Sequence, residues 1–112
     1  MNNSRFSLRG RIALVTGASS GLGWHFARTL AEAGALVIAA ARNTQRLAEL
    51  VQEIAEAGGE ACPVEMDVTS VTSVKAAFDQ MEAQIGTPDV LINNAGLTVT
   101  KSLLEQTEDD WD

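Results

Sequence analysis

The chain has 112 residues, 46% of them hydrophobic and 21% charged, a composition suited to a globular protein with one domain or part of one. Its longest apolar run, Ala35 to Ala41, is far shorter than the ~20 residues of a membrane helix, and the stretch Met1 to Arg11 has three arginines but no apolar centre for a secretory signal, so a cytoplasmic location without membrane contact is expected. The formal net charge is −7 and no basic stripe is interleaved with aromatics, which argues against a nucleic-acid partner.

Charge is unevenly spread. Residues 1–46 carry six arginines against Glu32 alone, whereas residues 47–112 carry fourteen acids against Lys75 and Lys101. A small anionic ligand held by the basic first part is therefore compatible with an acidic chain. Cys62, the single cysteine, excludes an internal disulfide and reads as a small buried hydrophobe, and no Cys or His cluster has metal-ligand spacing.

In chain order, Ile12 to Thr16 is a short apolar run that predicts a strand. A helical pattern follows, with Leu22, Phe26 and Leu30 recurring every fourth position until Gly34. Ala35 to Ala41 predicts the second strand. Leu47, Leu50, Val51 and Ile54 mark the core side of a second helix, closed by Gly58-Gly59. Ala61 to Met66 predicts the third strand. Val71, Val74, Phe78, Met81 and Ile85 mark the core side of a third helix, and Val90 to Ile92 the fourth strand. Thr107 and Asp110 then resemble a capping box opening another helix, with about one turn before Asp112, so the chain is expected to be an incomplete domain over residues 1–112.

Strands alternating with crossover helices run parallel, with helices on both faces of the sheet. The first, second and fourth strands are apolar on consecutive positions, as central strands are, while the third alternates and contains Pro63, which suits an edge. The expected fold is therefore α/β: the first half of a three-layer, Rossmann-type doubly wound parallel sheet with strand order 3-2-1-4. An uncovered fourth strand would leave an open edge, with weak folding or aggregation expected.

The stretch Thr16-Gly17-Ala18-Ser19-Ser20-Gly21-Leu22-Gly23 joins the first strand to the first helix. Glycines there allow a sharp turn and close approach of a diphosphate to main-chain N–H groups, and the helix start adds its positive end. No Gly-Lys-Ser or Gly-Lys-Thr closes the loop, so it is not the phosphate loop of a nucleotide hydrolase. The spacing Thr-Gly-x-x-x-Gly-x-Gly, with Asp67-Val68 after the third strand and Asn93-Asn94-Ala95-Gly96 after the fourth, resembles the short-chain dehydrogenase/reductase family over about Gly10 to Trp111. The resemblance implies that Gly17, Ser19, Ser20, Gly21, Leu22 and Gly23 line the diphosphate, that Asp67 and Val68 meet the adenine, and that Asn93, Asn94, Ala95 and Gly96 flank the ribose and central sheet. Taken singly, Asp67 could cap the following helix, and the asparagines could be turn formers; the resemblance also implies a structural part for Asn93 in holding neighbouring strands together.

Between Glu32 and Glu49 there is no acid, and Arg42 follows the second strand where an NAD site usually places a carboxylate. A guanidinium suits the 2′-phosphate of NADP, so NADP(H) is the expected cofactor, with NAD(H) possible. His25 could approach phosphate but reads more simply as a packed or solvated residue, and Trp24 and Trp111 read as packing residues. The resemblance further implies hydride transfer between nicotinamide and an alcohol or carbonyl substrate in a homo-oligomeric parent. Its catalytic Asn, Ser and Tyr-x-x-x-Lys would lie beyond this chain, which has no tyrosine. Lys75, Lys101 and Ser102 do not match those positions. The 112 residues alone are thus expected to be inactive; the competing reading is a non-catalytic dinucleotide-binding module.

Overall fold

The computed structural model describes residues 7–94. Within them β1 (Ile12–Thr16), α1 (Gly21–Glu32), β2 (Leu36–Ala41), α2 (Thr44–Glu56), β3 (Glu60–Glu65), α3 (Val71–Gln84) and β4 (Val90–Asn93) follow in sequence. The strands form one parallel sheet in the order β3-β2-β1-β4. Ile12 is in register with Leu36, Ala39 with Pro63 and Thr16 with Asn93. The expected helix start at Thr107 and Asp110, and Trp111, lie outside the described residues.

The continuous apolar runs of β1 and β2 arise because helices cover both faces. Ala13, Val15, Val37 and Ala39 point to the side of α1 and α2, where they join Ala27, Ala31, Leu47, Leu50 and Ile54. Leu14, Ile38 and Ala40 point the other way, to Val64, Val74, Ala77 and Met81 on the side of α3. Successive strand residues alternate between faces, so each central strand feeds two cores at once. Pro63 is exposed on β3, which has β2 on one side only among the described residues. β4 likewise borders β1 alone among them, and its Leu91 is 52% exposed.

Helix faces differ from the expected ones in detail. The apolar residues that mark α1, Leu22, Phe26 and Leu30, flank its buried stripe, which consists of Gly23, Ala27 and Ala31. Small residues at that spacing let the helix approach the strands closely, pushing Leu22 out to 58% exposure. Val51 is half-buried beside the stripe of Leu47, Leu50 and Ile54. Val71, first residue of α3, is exposed, and Phe78 and Ile85 are only partly buried, while Ala77 completes the stripe between Val74 and Met81. Cys62, on the edge strand, is only partly buried and belongs to neither core cluster, against the buried position expected of it.

Candidate functional site

The turn after β1 is built by contact. Gly17 has φ +63°, a conformation that strains any side chain, and a Cβ there would meet the Asn94 carbonyl oxygen at 3.2 Å. At Gly23 a Cβ would run into the Gly17 carbonyl oxygen and stand 2.8 Å from Asn94 Nδ2. Both positions therefore demand glycine because backbone passes over backbone.

Helix starts are then treated in two ways. Asn43 Oδ1 accepts from the Arg46 N–H at 3.0 Å to cap α2, and Ser70 Oγ accepts from the Ser73 N–H at 3.2 Å to cap α3. At α1 the N-cap Ser20 makes no such bond; its hydroxyl donates back to the Gly17 carbonyl at 2.9 Å. The N–H groups of Gly21, Leu22 and Gly23 consequently have no acceptor among the described residues. Open donors at the positive end of a twelve-residue helix suit an anion.

The loop is fastened from the end of β4. Thr16, buried to 2% exposure, donates from Oγ1 to Asn93 Oδ1 at 3.0 Å and accepts from the Asn94 N–H at 3.1 Å. Asn94 Nδ2 donates to the Gly17 carbonyl at 3.3 Å and to Ser20 Oγ at 3.1 Å. In this arrangement the asparagines join neighbouring strands and hold the turn. Thr16→Val keeps the shape but removes both hydroxyl bonds, and is expected to lower stability by about 1–3 kcal/mol, measured by urea unfolding; Thr16→Ser should restore most of the loss.

Beside the turn, at the carboxyl ends of β1, β2 and β3, opens a cleft of about 350 Å³ lined by Gly17, Ser19, Ala41, Arg42, Asn43, Met66, Asp67, Val68 and Thr69. Its size falls in the ~300–1,000 Å³ range of small-molecule sites, and its position is where open α/β sheets bind ligands. Asp67 Oδ1 accepts from the Thr69 hydroxyl at 2.6 Å and from the Thr69 N–H at 3.0 Å. These bonds, the hydroxyl first, hold its carboxyl below the ordinary value; desolvation opposes them and the charge of Arg42 helps. The cleft is thus lined by both a carboxylate held by Thr69 and an exposed guanidinium.

Of the expected site residues, Gly17, Ser19, Arg42, Asp67 and Val68 line this cleft. Ser20, Asn93 and Asn94 brace the turn, Gly23 is buried beneath it, and Gly21 and Leu22 stand exposed at the start of α1. Ala95 and Gly96 lie outside the described residues. Asp67 does not cap α3, a role taken by Ser70; it closes a turn onto Thr69. His25 is exposed on α1 beside Arg28 and Glu32 and does not line the cleft. Asn43, Thr69 and Thr16 are additions. Asn before a helical run, Thr two residues after Asp, and a lone hydroxyl in an apolar strand were signals for them. Among the described residues no three His, Cys, Asp or Glu converge as metal ligands, and no helix is long and apolar enough to cross a membrane.

Known proteins share this build. A short chain dehydrogenase of Pseudocercospora fijiensis is 40% identical over 102 residues, which cover 91% of this chain and 33% of that protein. A 3beta-hydroxysteroid dehydrogenase of Mediterraneibacter gnavus is 41% identical, covering 90% and 37% respectively. The crystal structure of a gluconate 5-dehydrogenase from Burkholderia cenocepacia, in complex with NADP and tartrate, superimposes with a TM-score of 0.78 at 42% identity, over 85% of this chain and 37% of that one. The chain thus spans about a third of the length of each. The family model for short chain dehydrogenase matches residues 11–112; with the strand order and glycine turn described above, it follows that the chain belongs to the short chain dehydrogenase family.

Proposed function

We propose that this chain is the cofactor-binding part, an incomplete domain over residues 1–112, of an NADP(H)-dependent oxidoreductase that interconverts an alcohol and a carbonyl compound. The observation that carries the cofactor choice is Arg42, exposed on the cleft just past β2, with no carboxylate between Glu32 and Glu49 to receive a ribose 2′-hydroxyl. The N–H groups of Gly21, Leu22 and Gly23, which have no acceptor among the described residues, fit a diphosphate. Arg42 would hold the 2′-phosphate, a charge-assisted contact. Asp67 and Val68 would border the adenine, with the Asp67 carboxylate already oriented by Thr69.

When bound, the nicotinamide supplies the hydride chemistry. This chain's own share is binding and orientation: the turn from Thr16 to Gly23 grips the diphosphate, and Asn93 and Asn94 keep the turn rigid. Acid–base assistance to the hydride step would come from groups outside these residues, so the 112 residues alone should not turn over. The bound NADP of the Burkholderia gluconate 5-dehydrogenase supports the same cofactor here. A cytoplasmic, homo-oligomeric parent acting on a small alcohol or carbonyl substrate completes the proposal.

The test is the affinity of the full-length protein for the two reduced cofactors. NADPH should bind roughly ten- to a hundredfold more tightly than NADH, the equivalent of one charge-assisted contact. A tighter NADH complex would remove the role given to Arg42. Absence of affinity for both would leave the non-catalytic readings no better placed, because the dinucleotide site itself would be gone.

A further inference from the structure

Trp24 lies one turn into α1, half-buried against the first core cluster, and the Arg46 guanidinium carbon sits 4.2 Å from the centroid of its ring. Arg46 belongs to the first turn of α2. Its Nη1 is 3.1 Å from Glu49 Oε1, and its main-chain N–H is bonded to Asn43 Oδ1 at 3.0 Å. The side chain is held on its face by an indole and at its end by a carboxylate. Its backbone is fastened to Asn43, which lines the cleft and directly follows Arg42.

One contact therefore joins the helix whose N–H groups stand open to the helix that begins beside Arg42. A second polar link between these helices, Arg28 to Glu53 at 2.8 Å, lies further along both, beside the apolar contact of Ala27 and Ala31 with Leu47, Leu50 and Ile54. Arg42 by contrast is exposed and forms no ion pair within 4.0 Å among the described residues; its charge acts on Asp67 in the same cleft without a direct bond. Two arginines four positions apart thus have divided duties: Arg46 is stacked and ion-paired, whereas Arg42 lies exposed on the cleft.

We propose that Trp24 and Arg46 are positioning residues for cofactor choice: their stack sets the Arg42–Asn43 segment so that Arg42 meets a 2′-phosphate, without either of them touching it. The proposal rests on the reading of Arg42 above. A guanidinium over an indole face is held by the ring quadrupole, and Arg suits such stacking better than Lys. Freed from it, α2's first turn keeps its apolar anchor Leu47 but loses its polar tie to α1, and Arg42 samples more directions, which weakens only what Arg42 binds.

The experiment uses the full-length protein and the adenosine half of the cofactor. Affinities for 2′,5′-ADP and 5′-AMP are measured by titration calorimetry for the wild type, W24F, W24L, R46Q and the W24L/R46Q double variant. W24L and R46Q should each shrink the preference for 2′,5′-ADP about two- to fivefold, the scale of one exposed cation–π contact. The double variant should lose no more than either single one, and W24F should retain the preference. Equal weakening of both nucleotides, or an unchanged preference in folded R46Q, overturns the proposal. So does loss in R46Q with full retention in W24L, since Arg46 would then bind the phosphate itself. If W24L does not fold, an unchanged preference in folded R46Q still overturns the proposal, and W24H, which keeps a smaller ring, takes the place of W24L in the comparison. A wild type without preference overturns the reading of Arg42 and the clamp together, whereas a wild-type preference that survives R46Q overturns the clamp alone.

Discussion

Gly23→Ala should cost the full-length protein about ten- to a hundredfold in affinity for either nicotinamide cofactor, without discrimination between them. The added methyl has no room: it runs into the Gly17 carbonyl oxygen and comes within 2.8 Å of Asn94 Nδ2. The first obstacle is backbone, so relief requires the whole turn from Gly17 to Ser20 to shift, and overpacking of this kind costs about 1–3 kcal/mol. That turn carries the open donors, and the same energy reappears as the stated loss of binding. Cofactor titration followed by fluorescence, with circular dichroism to establish folding, measures it. A folded Gly23→Ala protein that binds like the wild type would show that the contact does not shape the diphosphate site.

Arg42→Asp should act on the other end of the cofactor and in opposite senses. NADPH loses its guanidinium and meets a carboxylate, so its affinity should fall by about a hundredfold. NADH gains an acceptor for its 2′-hydroxyl and should bind as well as before or better. Asp67, which lines the same cleft, has its carboxyl held below the ordinary range, so the variant places two like charges in one cleft. This will moderate the gain for NADH but not reverse the loss for NADPH. The ratio of the two dissociation constants reads the effect; an unaltered ratio would place the 2′-phosphate elsewhere.

The strand order was legible in the chain because two kinds of residue speak to it directly. Pro63 and the alternation around it assign β3 to an edge, and unbroken apolar runs assign β1 and β2 to the centre. The packing face of α1 was not legible in the same way. Leu22, Phe26 and Leu30 carry the hydrophobic signal, yet the sheet is approached through Gly23, Ala27 and Ala31. Hydrophobicity counts apolar bulk, while a helix laid tightly on strands is selected for its absence.

The site divides along similar lines. Gly17, Ser19, Arg42, Asp67 and Val68 stand out by spacing and meet in one cleft. Asn43, Thr69 and Thr16 act through hydrogen bonds to partners that only the fold or the local turn brings near. A cap, a turn closure and a buried hydroxyl are each common features, so their residue types alone do not distinguish a cofactor site from an ordinary loop. The missing cap on α1 is more telling, because Ser20 has the right chemistry for capping and spends its hydroxyl on Gly17 instead.

The fastening of the turn by Asn94 also governs when the turn can mature. Thr16, Gly17 and Ser20 bond to Asn93 or Asn94 across sequence separations of 74 to 78 residues, so these are among the most non-local contacts in residues 7–94, and such contacts form late in folding. During synthesis the glycine loop leaves the ribosome long before the strand that braces it. Until β4 docks beside β1, a nascent chain carries the loop without its brace, and nucleotide capture is expected to switch on with that docking event rather than with the appearance of the loop itself.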